Sequence, residues 1–434
     1  MPNKKTTIER TAIFLISAVL LGSGIVAAAE IDVEFRLGYG VTDNITRAEI
    51  NEIEEDVLSG GVSLDLSEET RRLSVNIRTN LDYLNYIDDT FDEEWLGGGD
   101  ALVRFDLVEE HLNWVIEDNF GQRLFDPLAP PNPGNREDVN FFSTGPNFEM
   151  SMGARNFFGI QGRYSVVTYE DTPYDNDRVS GLLSIGRRTS RDATISLNAS
   201  KERVEFDNAG LSPDFDITEA FIRYEILSTR NTVSIDLGYS ELQTDITNGD
   251  GYLLRVSWTR VTSPIRTFIF RGGSEYSNQG NIFRFMQINA RRVGATLDID
   301  GGDTPFRSNF FFARFDVKSE RTRLFFEAGW NKDDYEFGSA LDRDIITGEF
   351  FVERDVTRRL FVSLRLDFTN REYDFIDQSD DTFMAGATIG YRYTPAFNVF
   401  LNFRRVDRES NVNLASYTEN RAVIGIAYVP SWGR

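Results

Sequence analysis

From Leu73 to Tyr83 every second residue is Leu, Val, Ile, Thr, Leu or Tyr, and the residues between are Ser74, Asn76, Arg78, Asn80 and Asp82. Successive side chains of a β-strand point to opposite faces. This segment therefore has one apolar face ending in a tyrosine and one polar, charged face. Tilted by roughly 40°, with a rise of about 3.3 Å per residue, Arg72–Tyr83 covers about 30 Å of height. A strand of about 9–11 residues is enough to cross a bilayer. A strand of a soluble sandwich alternates too, so the constraint lies in how often the pattern returns.

It returns along the whole chain. Val33–Tyr39, Ala101–Leu107, Phe158–Val166, Ala193–Ala199, Ala220–Ile226, Val233–Tyr239, Phe311–Val317, Leu360–Phe368 and Ala422–Tyr428 all alternate in the same way. Short turns, such as Glu109–His111, Lys318–Thr322 and Arg354–Arg359, are followed by longer polar loops, such as Thr42–Asp56 and Asp88–Glu94. Outer-membrane barrels have short periplasmic turns and longer extracellular loops. The apolar parities often end in Tyr39, Tyr83, Tyr239, Tyr252 or Trp330 beside a longer loop, where an interfacial aromatic girdle would lie. The expected fold is an all-β, transmembrane, antiparallel up-and-down β-barrel of about 20 strands, within a range of about 18–22. Ser277–Gly302 leaves the number open: Ile282–Ile288 and Val293–Ile299 form either a further hairpin or part of a long surface loop. A soluble β-solenoid is the architectural alternative, and it would lack the alternation of short and long connections.

The start of the chain reads as an export signal. Lys4, Lys5 and Arg10 precede the apolar run Ala12–Val26, and Ala27-Ala28-Ala29 gives a small-residue cleavage site before Glu30. An N-terminal membrane anchor is the alternative. Residues 1–29 are thus expected to be a signal peptide and 30–434 one barrel domain. No other apolar run reaches the roughly 18 residues of a membrane helix. The chain has no cysteine, which excludes disulfides and thiolate chemistry. Its net charge is −23, and removal of Lys4, Lys5, Arg10 and Glu9 leaves −25. Nucleic acid is excluded as a partner, because phosphates need a basic surface. A mean hydropathy of −0.34 fits a barrel as well as a soluble protein, since half of each strand faces a polar lumen.

On the lumen parity arginines alternate with acids: Arg36, Arg78 with Asp82, Arg104 with Asp106, Arg223 with Glu225, Arg314 with Asp316, Arg365 with Asp367, and Arg404. They form either an ion or sugar pathway, because guanidinium groups offer several planar donors, or a structural network of the wall. The loop Gly121–Pro146 holds Pro127, Pro130, Pro131 and Pro133, followed by Phe141 and Phe142. It is a candidate constriction if it folds inward, and a surface flap if it does not. The acidic clusters Glu54–Asp56, Asp88–Glu94 and Asp377–Asp381 lack the spacing of a calcium loop. Solvated surface charge explains them, with divalent bridging to lipopolysaccharide phosphates as the alternative. The single histidine, His111, falls in a turn. No catalytic residue, cofactor or metal site is expected, and no enzymatic activity.

Gly301–Trp330 (GGDTPFRSNFFFARFDVKSERTRLFFEAGW) and Ser190–Phe206 (SRDATISLNASKERVEF) resemble the putative beta-barrel porin 2 group. In particular they resemble outer-membrane barrels associated with exosortase and exopolysaccharide gene clusters. The likeness is one of hairpin style over most of residues 31–434. The group has no settled catalytic or binding residues, so none is transferred. The chain departs from the usual final aromatic residue, since Trp432 lies two residues before its end. The resemblance implies a porin-like pore or conduit for exopolysaccharide export or surface-polymer assembly. A general diffusion porin and a non-conducting surface-binding barrel are the alternatives. Expected partners are outer-membrane lipid and lipopolysaccharide, the barrel assembly machinery and, by resemblance, polysaccharide.

Overall fold

The period-two pattern becomes twenty strands in a computed structural model, which describes residues 29–208, 210, 212–283, 304–336 and 341–430. The first ten are β1 (Glu30–Thr42), β2 (Glu55–Glu69), β3 (Leu73–Tyr86), β4 (Glu94–Val108), β5 (Leu112–Arg123), β6 (Glu137–Met152), β7 (Asn156–Tyr169), β8 (Asn176–Arg188), β9 (Ala193–Phe206) and β10 (Phe215–Leu227). The second ten are β11 (Asn231–Thr244), β12 (Asn248–Ser263), β13 (Arg266–Ser277), β14 (Phe306–Lys318), β15 (Thr322–Tyr335), β16 (Arg343–Asp355), β17 (Leu360–Tyr373), β18 (Gln378–Arg392), β19 (Phe397–Ser410) and β20 (Tyr417–Tyr428). Each strand pairs antiparallel with its neighbours in the chain, and β1 closes on β20 from Phe35↔Tyr428 to Thr42↔Arg421. Closure removes both sheet edges, so every strand has a ladder on each side. Residues 1–28 of the expected export signal and Trp432 lie outside the described residues, as does nearly all of the alternative hairpin at Ile282–Ile299. Its first two residues, Ile282 and Phe283, belong to a helical turn over 279–283 rather than to a strand.

The register carries the alternation from strand to strand. Leu66 pairs with Ile77 and Ile77 with Ala101, and Tyr83 lies between Gly60 and Trp95. All of these stand on the outward parity. Elsewhere on that parity Leu37, Val179, Leu197, Tyr252 and Ile424 are more than half exposed. Large apolar side chains exposed all round a closed sheet need a hydrocarbon solvent, which is the condition of a membrane barrel.

The outward face ends in tyrosines at the long-loop end. Tyr83 and Trp95 have ring centroids 5.1 Å apart. The Tyr39 hydroxyl donates to Asp56 at 2.6 Å and the Tyr164 hydroxyl to Asp177 at 3.0 Å, and Tyr239 donates likewise to Asp250. In each case an apolar ring body carries a hydroxyl tied to a charge just above it, as a residue at a membrane boundary requires.

Candidate functional site: the inner wall and the long-loop mouth

The inner parity is polar because the outer one is not, and its charges find partners across the ladder. Arg78 bonds Asp100, directly opposite, at 3.0 Å, and Arg223 bonds Asp236, also directly opposite, at 2.7 and 2.8 Å. Arg314 bridges Asp316 at 2.9 Å and Glu327 at 3.2 Å, with its guanidinium 3.9 Å from the Phe325 ring centroid. Arg365 reaches Asp367 at 2.9 Å and also bonds Glu349. Arg404 meets Glu419 at 3.4 Å. Arg36 passes over β2 to Asp82 at 3.0 Å. Arg104 is exposed and forms no ion pair among the described residues.

Of the neighbours expected from the sequence, Asp316 and Asp367 are the partners of Arg314 and Arg365. Arg78 turns to Asp100 instead of Asp82, and Arg223 to Asp236 instead of Glu225. Residues two apart share a face, but so do cross-strand residues, and those lie as close.

Gly61 makes the Arg36–Asp82 contact possible. A Cβ at that position would lie 1.9 Å from Asp82 Oδ1 and 3.2 Å from Arg36 Nη2. Gly61→Val is expected to cost about 1.5–3 kcal/mol, the range for a hydrogen bond to a charged group. Asp82→Ala should cost a similar amount, and the double variant little more than either. Urea titration of the detergent-folded protein measures this, and additive losses would contradict the contact.

The long-loop end is narrowed by two inward segments. The first is the β5–β6 connection, 124–136. Its Pro131 carbonyl accepts from Arg47 of the β1–β2 loop, and Asn132 Nδ2 donates to the Thr46 carbonyl at 3.2 Å. Its Leu128 and Ala129 carbonyls face Arg408 on β19 at 3.4 Å, and Leu128 also accepts from Gln378 on β18 at 3.4 Å. The segment thus reaches from β5–β6 past β1 to the wall at β18–β19. Its shape is held from within: Asn135 Oδ1 accepts from the Asp126 amide and Asn135 Nδ2 donates to the Asp126 carbonyl, both at 2.7 Å.

The base of this segment is clipped shut. Arg123, the last residue of β5, and Glu137, the first of β6, pair at 2.6 Å with side chains 1% and 0% exposed. Glu137 also accepts from Thr172 N at 2.9 Å, Thr172 Oγ1 at 2.8 Å and Asp171 N at 3.1 Å. The Arg123 guanidinium lies 4.1 Å from the Tyr169 ring centroid.

The second inward segment begins after β13. Asn278 Oδ1 accepts from Arg178 on β8 at 2.7 Å, and Asn281 donates to Glu202 on β9 at 3.2 Å. Phe283 is buried in a cluster with Val139, Phe141, Val167 and Tyr169 of β6 and β7. Another inner cluster, Ile45, Val57, Leu84, Tyr86 and Leu96, lies under the β1–β2 loop.

The expected constriction at Phe141 and Phe142 is corrected on one point. The segment that folds inward is 124–136, and both phenylalanines belong to β6. Phe141 is buried on the inner face against Phe283, and Phe142 is outward and 38% exposed. Pro146, the last residue of the expected loop, cannot donate to a ladder. The strand accommodates it by interruption: β6 and β7 pair at Thr144↔Tyr164 and again at Asn147↔Gln161, with no pair between. Among the acidic clusters, Glu55 is buried and accepts the Asp88 and Thr90 amides at 2.8 and 3.2 Å, so its carboxylate serves the backbone. His111 sits in its turn with Nδ1 3.1 Å from the Glu149 carbonyl. Arg47, Arg123, Glu137, Arg408 and Glu419 were not singled out from the sequence. Their one legible signal is charge at strand ends beside a proline-rich loop.

Residues 339–428 match the family model described as Putative beta-barrel porin 2. This agrees with the resemblance seen in the hairpins and covers β16–β20. No curated protein matches the chain. Among solved structures, the siderophore receptor PirA from Pseudomonas aeruginosa is 10% identical, over 92% of this chain and 80% of its own, with a TM-score of 0.42. The FrpB iron transporter from Neisseria meningitidis is 8% identical over 92% and 82%, with a TM-score of 0.45. Pseudomonas aeruginosa OpdQ is 10% identical over 92% and 98%, with a TM-score of 0.36.

The porin-matched segment has an echo 204 residues earlier, the distance from Phe157 to Phe361, in β6–β10. Phe157, Gly186, Arg188, Leu197, Asn198 and Tyr224 recur as Phe361, Gly390, Arg392, Leu401, Asn402 and Tyr428. Their contacts recur too. Phe157 lies over Gly186 and Phe361 over Gly390, where a Cβ would come within 2.2 and 2.0 Å of the ring. The Arg188 and Arg392 guanidiniums stand 5.6 and 4.8 Å from those ring centroids. Ser184 bonds Asn198 at 2.7 Å, and Asn402 bonds Thr388 at 2.8 Å. The Phe-over-Gly contact, with its arginine beside the ring, therefore occurs twice in the barrel, ten strands apart.

Proposed function

We propose that the protein is a porin-like pore or conduit of the Gram-negative outer membrane, serving exopolysaccharide export or surface-polymer assembly. One observation carries the reading: a closed ladder of twenty strands encloses a polar, ion-paired wall whose mouth is narrowed by the protein's own loops. An ion-paired wall is rigid and wettable and presents donors and acceptors to water or sugar hydroxyls. The porin family match over β16–β20 supports the pore, and the exopolysaccharide link rests on the hairpin resemblance. Residues 1–29 would direct export, with the barrel assembly machinery inserting the strands and lipid and lipopolysaccharide surrounding them. The only histidine is a turn residue held by a backbone carbonyl, which supports a non-enzymatic role.

The two inward segments also favour a second reading, a closed barrel whose loops bind a surface polymer. Planar-bilayer recording separates the two. The pore reading expects single-channel steps from the wild-type protein and several-fold larger ones when 125–135 is replaced by a short Gly-Ser linker. Folded, heat-modifiable protein that conducts in neither form would leave the surface-binding reading. Deletion of the gene should reduce surface polysaccharide, and an unchanged amount would reject the export role.

A further inference from the structure

Arg404 on β19 and Arg421 on β20 lie directly opposite each other in the ladder, both on the inner parity. Like charges in that position repel. At several other places on the inner wall an arginine faces an acid, as at Arg78↔Asp100, Arg223↔Asp236 and Arg314↔Glu327. Where two acids face each other, at Glu349↔Asp367, Arg365 bonds both.

The Arg404–Arg421 pair has no such compensation. Glu419 is the nearby carboxylate, 2% exposed, and it is shared: Arg47 reaches it at 2.9 Å, Arg404 at 3.4 Å and the Thr42 hydroxyl at 3.2 Å. Three guanidiniums against one carboxylate leave two positive charges, in a chain whose net charge is −23. The Arg421 side chain forms no ion pair or hydrogen bond among the described residues. The Nε atoms of Arg404 and Arg421 are both buried without an acceptor.

The inner neighbours do not fill the deficit. Arg404 faces Gly386 on β18 and Arg421 faces Thr42 on β1. The next inner-wall charges are already matched, Arg408 with Asp380 at 2.8 Å and Arg136 with Glu94 at 2.5 Å. Arg47 lies in the β1–β2 loop. Burial acts to lower its pKa, but Tyr417 and Glu419 beside it outweigh that and hold it above the ordinary arginine value. Arg47 also donates to the Pro131 carbonyl, so the cluster borders the segment that narrows the mouth.

We infer that Arg47, Arg404 and Arg421 form a binding site for the carboxylate groups of an acidic saccharide at the long-loop mouth of the lumen. Guanidinium forks match carboxylates in geometry as well as charge, and two unspent positive charges give the site its preference for anions. The saccharide part of the inference rests on the reading of the lumen as a polymer path. It also answers how an acidic protein could admit a polyanion: the balance is reversed locally beside the 124–136 segment.

Titration calorimetry of the full, detergent-folded protein with trigalacturonate, and with maltotriose as the neutral counterpart, tests it. The wild type is expected to bind trigalacturonate, more weakly as salt rises, and to bind maltotriose at least tenfold less tightly. R421Q should weaken trigalacturonate binding at least tenfold, R421K should recover part of it, and R71Q, in an exposed turn, should bind like wild type. Heat-modifiable gel mobility establishes that each variant is folded. Absence of trigalacturonate binding by the wild type, equal binding by folded R421Q, or equal binding of maltotriose would each overturn the site. Bilayer recording on the same samples keeps the two readings apart. Arg421-dependent binding without conductance sustains the site and rejects the pore, whereas conductance without binding rejects the site and keeps the pore.

Discussion

Glu137→Ala is expected to destabilise the barrel by about 3–5 kcal/mol, the range for removing one partner of a buried ion pair. Its carboxylate accepts from Arg123, Thr172 and the Asp171 amide, and alanine removes that shared acceptor from a site that water does not reach, leaving Arg123 with the neutral Thr172 hydroxyl at 2.7 Å. The Arg123 guanidinium would then be buried beside Tyr169 with its main counter-charge gone. Position also matters. Arg123 ends β5 and Glu137 begins β6, so their bond closes the neck of the 124–136 segment. Opening the neck should loosen the segment's hold on Arg408 and Gln378, raising conductance and channel noise. Replacing both partners with apolar residues, Arg123→Met with Glu137→Leu, should recover much of the stability but not the tight neck. Urea titration and single-channel recording check the two effects. A Glu137→Ala protein with wild-type stability would contradict the buried pair.

Ile77→Arg is the second large expectation. Ile77 stands on the outward parity of β3 between Leu66 and Ala101, in an apolar cluster that also includes Ile31, Leu64 and Val75. An arginine on the lipid face of a barrel strand costs about 2–4 kcal/mol near the bilayer midplane. Here it would also displace packed neighbours. Assembly into liposomes, followed by the heat-modifiable band, should be largely lost. Asn76→Asp, one residue away on the exposed inner face, should assemble normally. Equal assembly of the two variants would sink the assignment of faces on β3.

The barrel was legible because each strand states its own orientation. The alternation at Leu73–Tyr83 needs no partner to be read, and its repetition, with short and long connections in turn, implies closure. Register is not legible in that way. Asp100 became the partner of Arg78, and Asp236 of Arg223, through cross-strand alignment that a single segment does not encode. Gly61 looked like any strand glycine until Arg36 and Asp82 met across it. Gly145-Pro146 resembles a loop end, whereas β6 carries Phe141 and Phe142 straight through it, with only its pairing to β7 interrupted there. The mouth was least legible of all. The Leu128 and Ala129 carbonyls meet a β19 arginine some 280 residues away in the chain, and no local pattern predicts a contact of that separation. The recurrence of Phe157, Gly186 and Arg188 as Phe361, Gly390 and Arg392 was present in the sequence, but it gained meaning only when the rings were seen lying over the glycines.

If one parity of every strand meets lipid while the other lines a water-filled interior, adjacent positions on one strand must differ in what reaches them. The chain has no cysteine of its own, so single cysteines report without background. Leu401 and Asn402 are adjacent on β19. Leu401 is outward, 52% exposed and in register with Ile389 and Ile424, and Asn402 is inward and bonded to Thr388. In liposomes a charged, membrane-impermeant maleimide should label Asn402→Cys and leave Leu401→Cys unreacted. An apolar maleimide partitioned into the bilayer should do the reverse. Labelling of Leu401→Cys by the charged reagent, with Asn402→Cys silent, would contradict the account.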